Sequence, residues 1–248
     1  MSRVLLVHGA WHGPWCWDDF AHRLSVVGHD VHTVRLSGHD GRPGRLWYRV
    51  GDYLDDVTRA ASQFDEPPVL VGHSLGGLLV QKHLERHTAP GAVLMASIPP
   101  RGAIAAVLRV ALRHPLVLLR ANLTMSMRPF IRPARLVRQM FIGPSSPQSV
   151  VDDCMARLQN DSYRMFLGVL RPSWRPPRVP LRVLVLGAEL DGFFTTAEVE
   201  RTARAYGTEA QIIPGMGHDL MLDEGWQAVA DRVDHWLRDV EGTAQLMS

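Results

Sequence analysis

The stretch Val69-Leu70-Val71-Gly72-His73-Ser74-Leu75-Gly76-Gly77-Leu78-Leu79 decides how this chain is read. A short aliphatic run ends at Gly72-His73-Ser74-Leu75-Gly76, a Gly-x-Ser-x-Gly pattern, and a helical apolar segment follows. A serine on such a strand-to-helix turn has a crowded backbone, which the flanking Gly72 and Gly76 relieve. Chance alone yields roughly 0.1 such patterns in a chain of this composition, so the pattern by itself is a modest signal. Its setting, a strand before Ser74 and a helix after it, separates it from an ordinary turn serine.

Working outward, apolar runs of the buried parallel type recur at 4–7, 31–36, 92–96, 181–186 and 210–213, besides the one ending before Gly72. Helical segments separate them at 15–27, 46–64, 75–87, 196–206 and 225–240. Strand–helix alternation of this kind implies an α/β fold with a doubly wound, mainly parallel sheet of about six strands. From 99 to 172 the alternation stops, leaving helical stretches at 104–113, 134–141, 150–159 and 163–170. That is too long for a crossover. The expected organisation is a core of 1–98 and 173–248 with a helical cap inserted at 99–172, returning through Pro172, Pro176, Pro177 and Pro180. An insertion leaving a strand's carboxyl end would roof the crevice where ligands of such sheets bind.

A serine nucleophile needs a base and an acid that orients it. Of 12 histidines, His218 alone lies in a loop after a late strand, and Asp191 lies just past the end of the strand before it. The order Ser74, Asp191, His218 is the order used on this type of sheet. Glu189 is an alternative acid, whereas Asp219 and Asp223 read as helix-start or surface carboxylates. An anionic intermediate also needs donors. The first strand runs into His8-Gly9-Ala10-Trp11, a tight turn that aims the Ala10 amide at the crevice, and the Leu75 amide at the start of the helix is the second donor. His12, His73, Ser97 and the other histidines read as structural. Trp11, Trp15 and Trp17 suit either an acyl pocket or core packing, and so do five methionines between 99 and 172.

On these residues the whole chain resembles the α/β-hydrolase superfamily. Within it, Val7-His-Gly-Ala-Trp-His-Gly-Pro-Trp-Cys-Trp17 is most similar to small esterases of the methylesterase and hydroxynitrile-lyase kind and their bacterial relatives. The resemblance implies that the family's first two strands are missing. It also implies that a lyase would carry a cap lysine; the one lysine here, Lys82, lies on the helix after Ser74, which speaks against cyanohydrin cleavage. The reaction expected is two-step acyl transfer on a small-molecule ester, with Ser74, Asp191 and His218 as the triad, and Ala10 and Leu75 as oxyanion donors. It needs no cofactor and no metal. Thioester or carbon–carbon hydrolysis by the same triad, and a non-catalytic ligand-binding role, remain the alternatives.

Composition narrows the rest. With 46% hydrophobic and 21% charged residues the 248-residue chain is of ordinary globular make-up, and a net charge of +2 gives no argument for nucleic acid. No aliphatic run approaches the ~18 residues of a membrane span, and no secretory signal follows Met1. Two cysteines, Cys16 and Cys154, form no disulfide framework, so the expectation is a reducing, cytoplasmic setting. The stretch 99–172 holds 11 arginines against Asp152, Asp153 and Asp161, and no acid occurs from 86 to 151. Arg109, Arg113 and Arg120 would share one helical face if Pro115 only kinks the helix. Such a face would rest on an anionic membrane or receive an anionic, lipid-like ester; alternatively it is a solvated face balanced by the acidic remainder.

Overall fold

Residues 1–39, 47–171 and 181–245 are described by the computed structural model. The expected helix start at residue 46 and the proline-rich return at 172–180 lie outside the described residues. Six strands form one sheet: β1 (Arg3–Val7), β2 (Asp30–Val34), β3 (Val69–His73), β4 (Ala92–Met95), β5 (Val183–Ala188) and β6 (Ala210–Ile213). Every neighbouring pair is parallel, in the order β2-β1-β3-β4-β5-β6. Parallel neighbours cannot be joined by hairpins. Helices therefore intervene: α1 (Asp18–Val26), α2 (Val50–Ala61) and α3 (Leu75–Leu84) precede β4. Between β4 and β5 lie α4 (Ile104–Arg113), α5 (Pro115–Thr124), α6 (Ala134–Phe141), α7 (Gln148–Arg157) and α8 (Tyr163–Val169). The chain closes with α9 (Thr196–Ala205) and α10 (Trp226–Gln245).

Strand side chains alternate between two cores. Leu5 and Val7 of β1 join Leu70, Leu94 and Val185 against α2, α3 and α9. Val4 and Leu6 join Val71, Val93 and Leu184 against Phe20 of α1 and Leu237 of α10. Both faces are covered, which is why these strands read as unbroken apolar runs. The strand order reverses between β1 and β3, and their following segments leave toward opposite faces, opening a crevice at the strand ends. A third apolar cluster sits among the helices between β4 and β5, built on Val110, Leu136, Val137, Phe141, Val151 and Phe166, with Trp11 packed against it.

One expectation fails here. Arg109, Arg113 and Arg120 do not share a continuous helix, because His114 leaves helical geometry (φ −137°, ψ 59°) and Pro115 opens α5. Proline disfavours the helical conformation in the residue before it and lacks the amide that would continue the ladder, but it is well placed as a first helical residue. Arg109 is also engaged: its guanidinium bonds Glu198 at 2.5 and 3.1 Å and the Phe193 carbonyl at 2.7 Å.

Candidate active site

Ser74 is where β3 becomes α3, and its backbone is forced into φ 51°, ψ −113°. Such a conformation costs on the order of 1–3 kcal/mol for a residue with a side chain. Neighbouring strands hold it there. The Ser74 amide donates to the Met95 carbonyl (3.0 Å), and its own carbonyl accepts from Ile98 (3.1 Å) and Leu78 (3.3 Å). Gly76 has no room for a Cβ, which would run into the Val7 and His8 carbonyls, so α3 can start flush against the end of β1. Gly9 is equally confined: a Cβ there would lie 3.1 Å from Cβ of Ser74. The turn after β1 therefore lies directly on the serine.

That turn is tied from every side. His8 is fully buried; its Nδ1 donates to the Gly9 carbonyl (2.9 Å) and its Nε2 accepts from the Leu36 amide (3.3 Å). Burial, then the neighbouring His39, hold its pKa well below the ordinary value, which suits this neutral tautomer. Trp11 has a left-handed φ of 63°. Its amide donates to buried Asp161 (3.0 Å), its carbonyl accepts from the Gln159 amide (2.9 Å), and Tyr53 and His39 share the same carboxylate. His12 presents Nδ1 to the Ala10 carbonyl (2.8 Å) and Nε2 to Asp219 (3.0 Å). The amides of Ala10 and Leu75 donate to no protein acceptor among the described residues. Both residues line an apolar cavity of about 70 Å³. Amides left without a partner beside a cavity are the exception in folded proteins.

Opposite this turn, Nδ1 of His218 lies 2.8 Å from Asp191. The other Asp191 oxygen accepts from the Phe193 and Phe194 amides (2.7 and 3.0 Å), which fixes the carboxylate. Glu189 points elsewhere, accepting from the Gly215 amide (2.8 Å). Burial disfavours a charged His218, but Asp191 and, to a smaller degree, Asp219 together hold the ring above its ordinary pKa. The His218 ring stands 4.7 Å from that of His73, the residue before Ser74, and the same distance from Phe193. His73 donates from Nε2 to the His218 carbonyl (3.1 Å), so the two loops are joined by a hydrogen bond as well as by packing.

Two carboxylates differ from their sequence reading. Asp219 and Asp223 are not surface groups; both are fully buried. Asp223 accepts from the Gly143 and Gly217 amides (2.8 and 2.6 Å) and from Ser146, tying the His218 loop to the end of α6. Burial would raise the pKa of Asp219, yet His12 first, then His73 and His218, keep it below the ordinary carboxylate range. Ligand atoms of His12, Cys154 and Asp219, and of His73, His218 and Asp219, each lie within 4.8 Å of one another. These are distances a cation would accept, but the His12 and Asp219 atoms already bond each other and His73 is committed to a carbonyl. The arrangement reads as an ion-pair network. Of the three tryptophans at the start of the chain, Trp11 lines the cavity, Trp17 is buried in the core, and Trp15 lies under Arg157 with 4.6 Å from guanidinium to ring centre. Met127 and Met165 line the cavity, Met140 is in the apolar cluster and Met125 is exposed.

A six-stranded parallel sheet with helices on both faces, a Gly-x-Ser-x-Gly turn after β3 and helices inserted after β4 is the architecture of the α/β hydrolases. Residues 4–232 match the model of the alpha/beta hydrolase family, and the chain belongs to that family. It is similar to the rice (Oryza sativa subsp. japonica) esterase PIR7B, 36% identical over 107 residues, covering 40% of each chain. It is also similar to methylesterase 10 of Arabidopsis thaliana, 35% identical over 115 residues, covering 44% of this chain and 42% of that one. The chain thus matches less than half the length of these relatives. Among solved structures, polyneuridine aldehyde esterase superposes with a TM-score of 0.72 at 16% identity, over 97% of this chain and 100% of that one, which bears on the fold alone. Among the described residues no helix is long and apolar enough to cross a membrane.

Proposed function

We propose that this chain is a serine hydrolase that cleaves carboxylic esters through an acyl-enzyme on Ser74, with the helices between β4 and β5 as its cap. The observation that carries the reading is the Asp191–His218 pair facing the strained Ser74 turn, with an apolar cavity bounded by two unpaired amides. His218 takes the Ser74 proton as the hydroxyl attacks the ester carbonyl, and Asp191 fixes the tautomer and stabilises the imidazolium. The Ala10 and Leu75 amides receive the oxyanion, a contribution of ~10²–10³ per donor. His218 then protonates the departing alcohol, and water repeats the sequence on the acyl-enzyme. Oγ of Ser74 and Nε2 of His218 have no hydrogen bond among the described residues; in ligand-free hydrolases this bond is commonly long and tightens with substrate.

The cavity lining supports a substrate class. Val110, Met127, Phe130, Phe166 and Phe193 join Trp11 around it, no charged side chain lines it among the described residues, and Arg109 is turned away onto Glu198. An uncharged, apolar acyl group of a few carbons fits such walls, whereas a carboxylate or phosphate would be desolvated there without a partner. Relatives named as esterases and methylesterases support the same reaction. The test is labelling by an organophosphonate together with turnover of short-chain esters. Both are expected for the native chain and both should vanish in Ser74→Ala; ester turnover retained in that variant would overturn the mechanism.

A further inference from the structure

α4 is apolar on two opposite sides. Ala106, Val107 and Val110 face the cavity, while Leu108 and Leu112 face outward and are 59% and 85% exposed. α5 continues the outer surface with Leu116, Leu119 and Leu123 at 64%, 52% and 74% exposure. Their spacing of three and four residues sets them on one face of that helix. A single exposed leucine is ordinary; five on two consecutive helices make a patch of the kind that marks an interaction surface.

The charge around this patch restricts what covers it. Arg113, Arg120 and Arg128 are exposed, and among the described residues none of them forms an ion pair. No acidic residue occurs in the sequence from 86 to 151, so no carboxylate of that segment can balance them. A second copy docked through the same face would set arginine against arginine. The occupant has to offer negative charge at its surface and apolar depth beneath, and an anionic bilayer offers both: headgroups for the arginines and acyl chains for the leucines.

We propose that α4 and α5 form a docking surface for an anionic lipid bilayer. The leucines enter the boundary between headgroups and acyl chains, and the arginines remain at headgroup level, each worth about fivefold in binding. Because the inner side of α4 lines the cavity, docking brings the cavity wall to within one helix of the lipid. The proposal does not depend on the reaction assigned to Ser74, and its test needs no turnover.

Cosedimentation of the full chain with phosphatidylglycerol vesicles and with phosphatidylcholine vesicles at low salt tests it. Binding to the anionic vesicles alone is expected, weakening as salt rises. Joint replacement R113E and R120E should lower that binding at least tenfold, and so should joint replacement L112S, L116S and L123S. All five residues are exposed, and unchanged thermal unfolding would show that these variants are folded. Absence of binding to the anionic vesicles at low salt would overturn the proposal and leave an acidic protein as the occupant to seek. Full binding by the triple leucine variant would also overturn it, reducing the effect to charge adsorption.

Discussion

The turn at residues 8–12 and the α4–α5 hairpin treat polar and apolar groups in opposite ways. In the turn, the two histidine rings and the Trp11 backbone are held by named partners: His8 by Gly9 and Leu36, Trp11 by Asp161 and Gln159, His12 by Ala10 and Asp219. In α4 and α5, by contrast, leucines lie in water, and among the described residues Arg113 and Arg120 form no ion pair. A turn held by this many hydrogen bonds is built to keep one geometry. A region that leaves apolar surface uncovered is stable only because the helices beneath it are anchored elsewhere, here through Ala121, Val110 and the cluster around Phe141.

The contrast breaks most sharply at Asp191. Asp191→Asn should lower kcat by ~10⁴, as loss of the orienting carboxylate does in serine hydrolases. Glu189→Gln should stay within about twofold, since the Glu189 carboxylate accepts from the Gly215 amide and not from His218. Steady-state kinetics on one ester compares them directly. The reverse ranking would move the acid role to Glu189.

Next in size is the buried pair behind the turn. Asp219→Ala leaves His12 with a nitrogen facing no acceptor in a dry interior, and breaking such a pair costs about 3–5 kcal/mol. Urea unfolding measures it. The pH dependence has a defined sign. The folded carboxyl of Asp219 sits below its ordinary value, so its contribution is complete above the unfolded pKa of ~3.9 and is lost as pH falls through the lower folded value. Asp219→Asn should therefore flatten the loss of stability on the acid side of about pH 4.

Cavity shape comes third. Ala106→Phe adds a ring to the cavity wall and should lower kcat/KM about tenfold more for a hexanoyl than for an acetyl ester. Equal losses on both esters would place the acyl group outside this cavity. A smaller effect concerns pH and rate. Against burial, Asp191 and Asp219 together raise His218 above its ordinary 6.5, and the base must be neutral to act, so the acid limb of kcat/KM should have its midpoint above pH 6.5. A midpoint below that value would mean burial dominates.

The smallest effect belongs to the hairpin. Leu112→Ser should change stability by no more than ~0.5 kcal/mol and turnover of a soluble ester by less than about twofold, because the side chain is exposed and touches nothing in the turn. A large loss in either measurement would show that the two regions are coupled.

Local pattern made much of the architecture readable. Short apolar runs mark the six strands among the described residues, and the helical spacing at 104–113 and 134–141 coincides with α4 (Ile104–Arg113) and α6 (Ala134–Phe141). The sequence leaves α5 open, because a proline inside an apolar helical run has two outcomes, a kink or a new first turn, and the choice depends on what the second helix packs against. Asp219 departs from the helix-start or surface carboxylate its sequence suggests for a different reason. Its position beside His218 resembles a helix start, and its partner His12 is 207 residues away. The spacing of His12 two residues after Ala10 was a usable signal, but only if the turn is known to need bracing from behind.

Sequence by itself determined the alternation of strands and helices, the glycines that let α3 press against β1, and the candidacy of Ser74, Asp191 and His218, since each depends on period or on neighbours within a few residues. Tertiary structure alone decided that Asp191 rather than Glu189 meets His218, that Asp161 and Asp219 brace the turn, and that five leucines of α4 and α5 face outward. Those outcomes depend on which side of a helix or strand end is turned inward and on pairings between distant residues, and local periodicity carries no information about either.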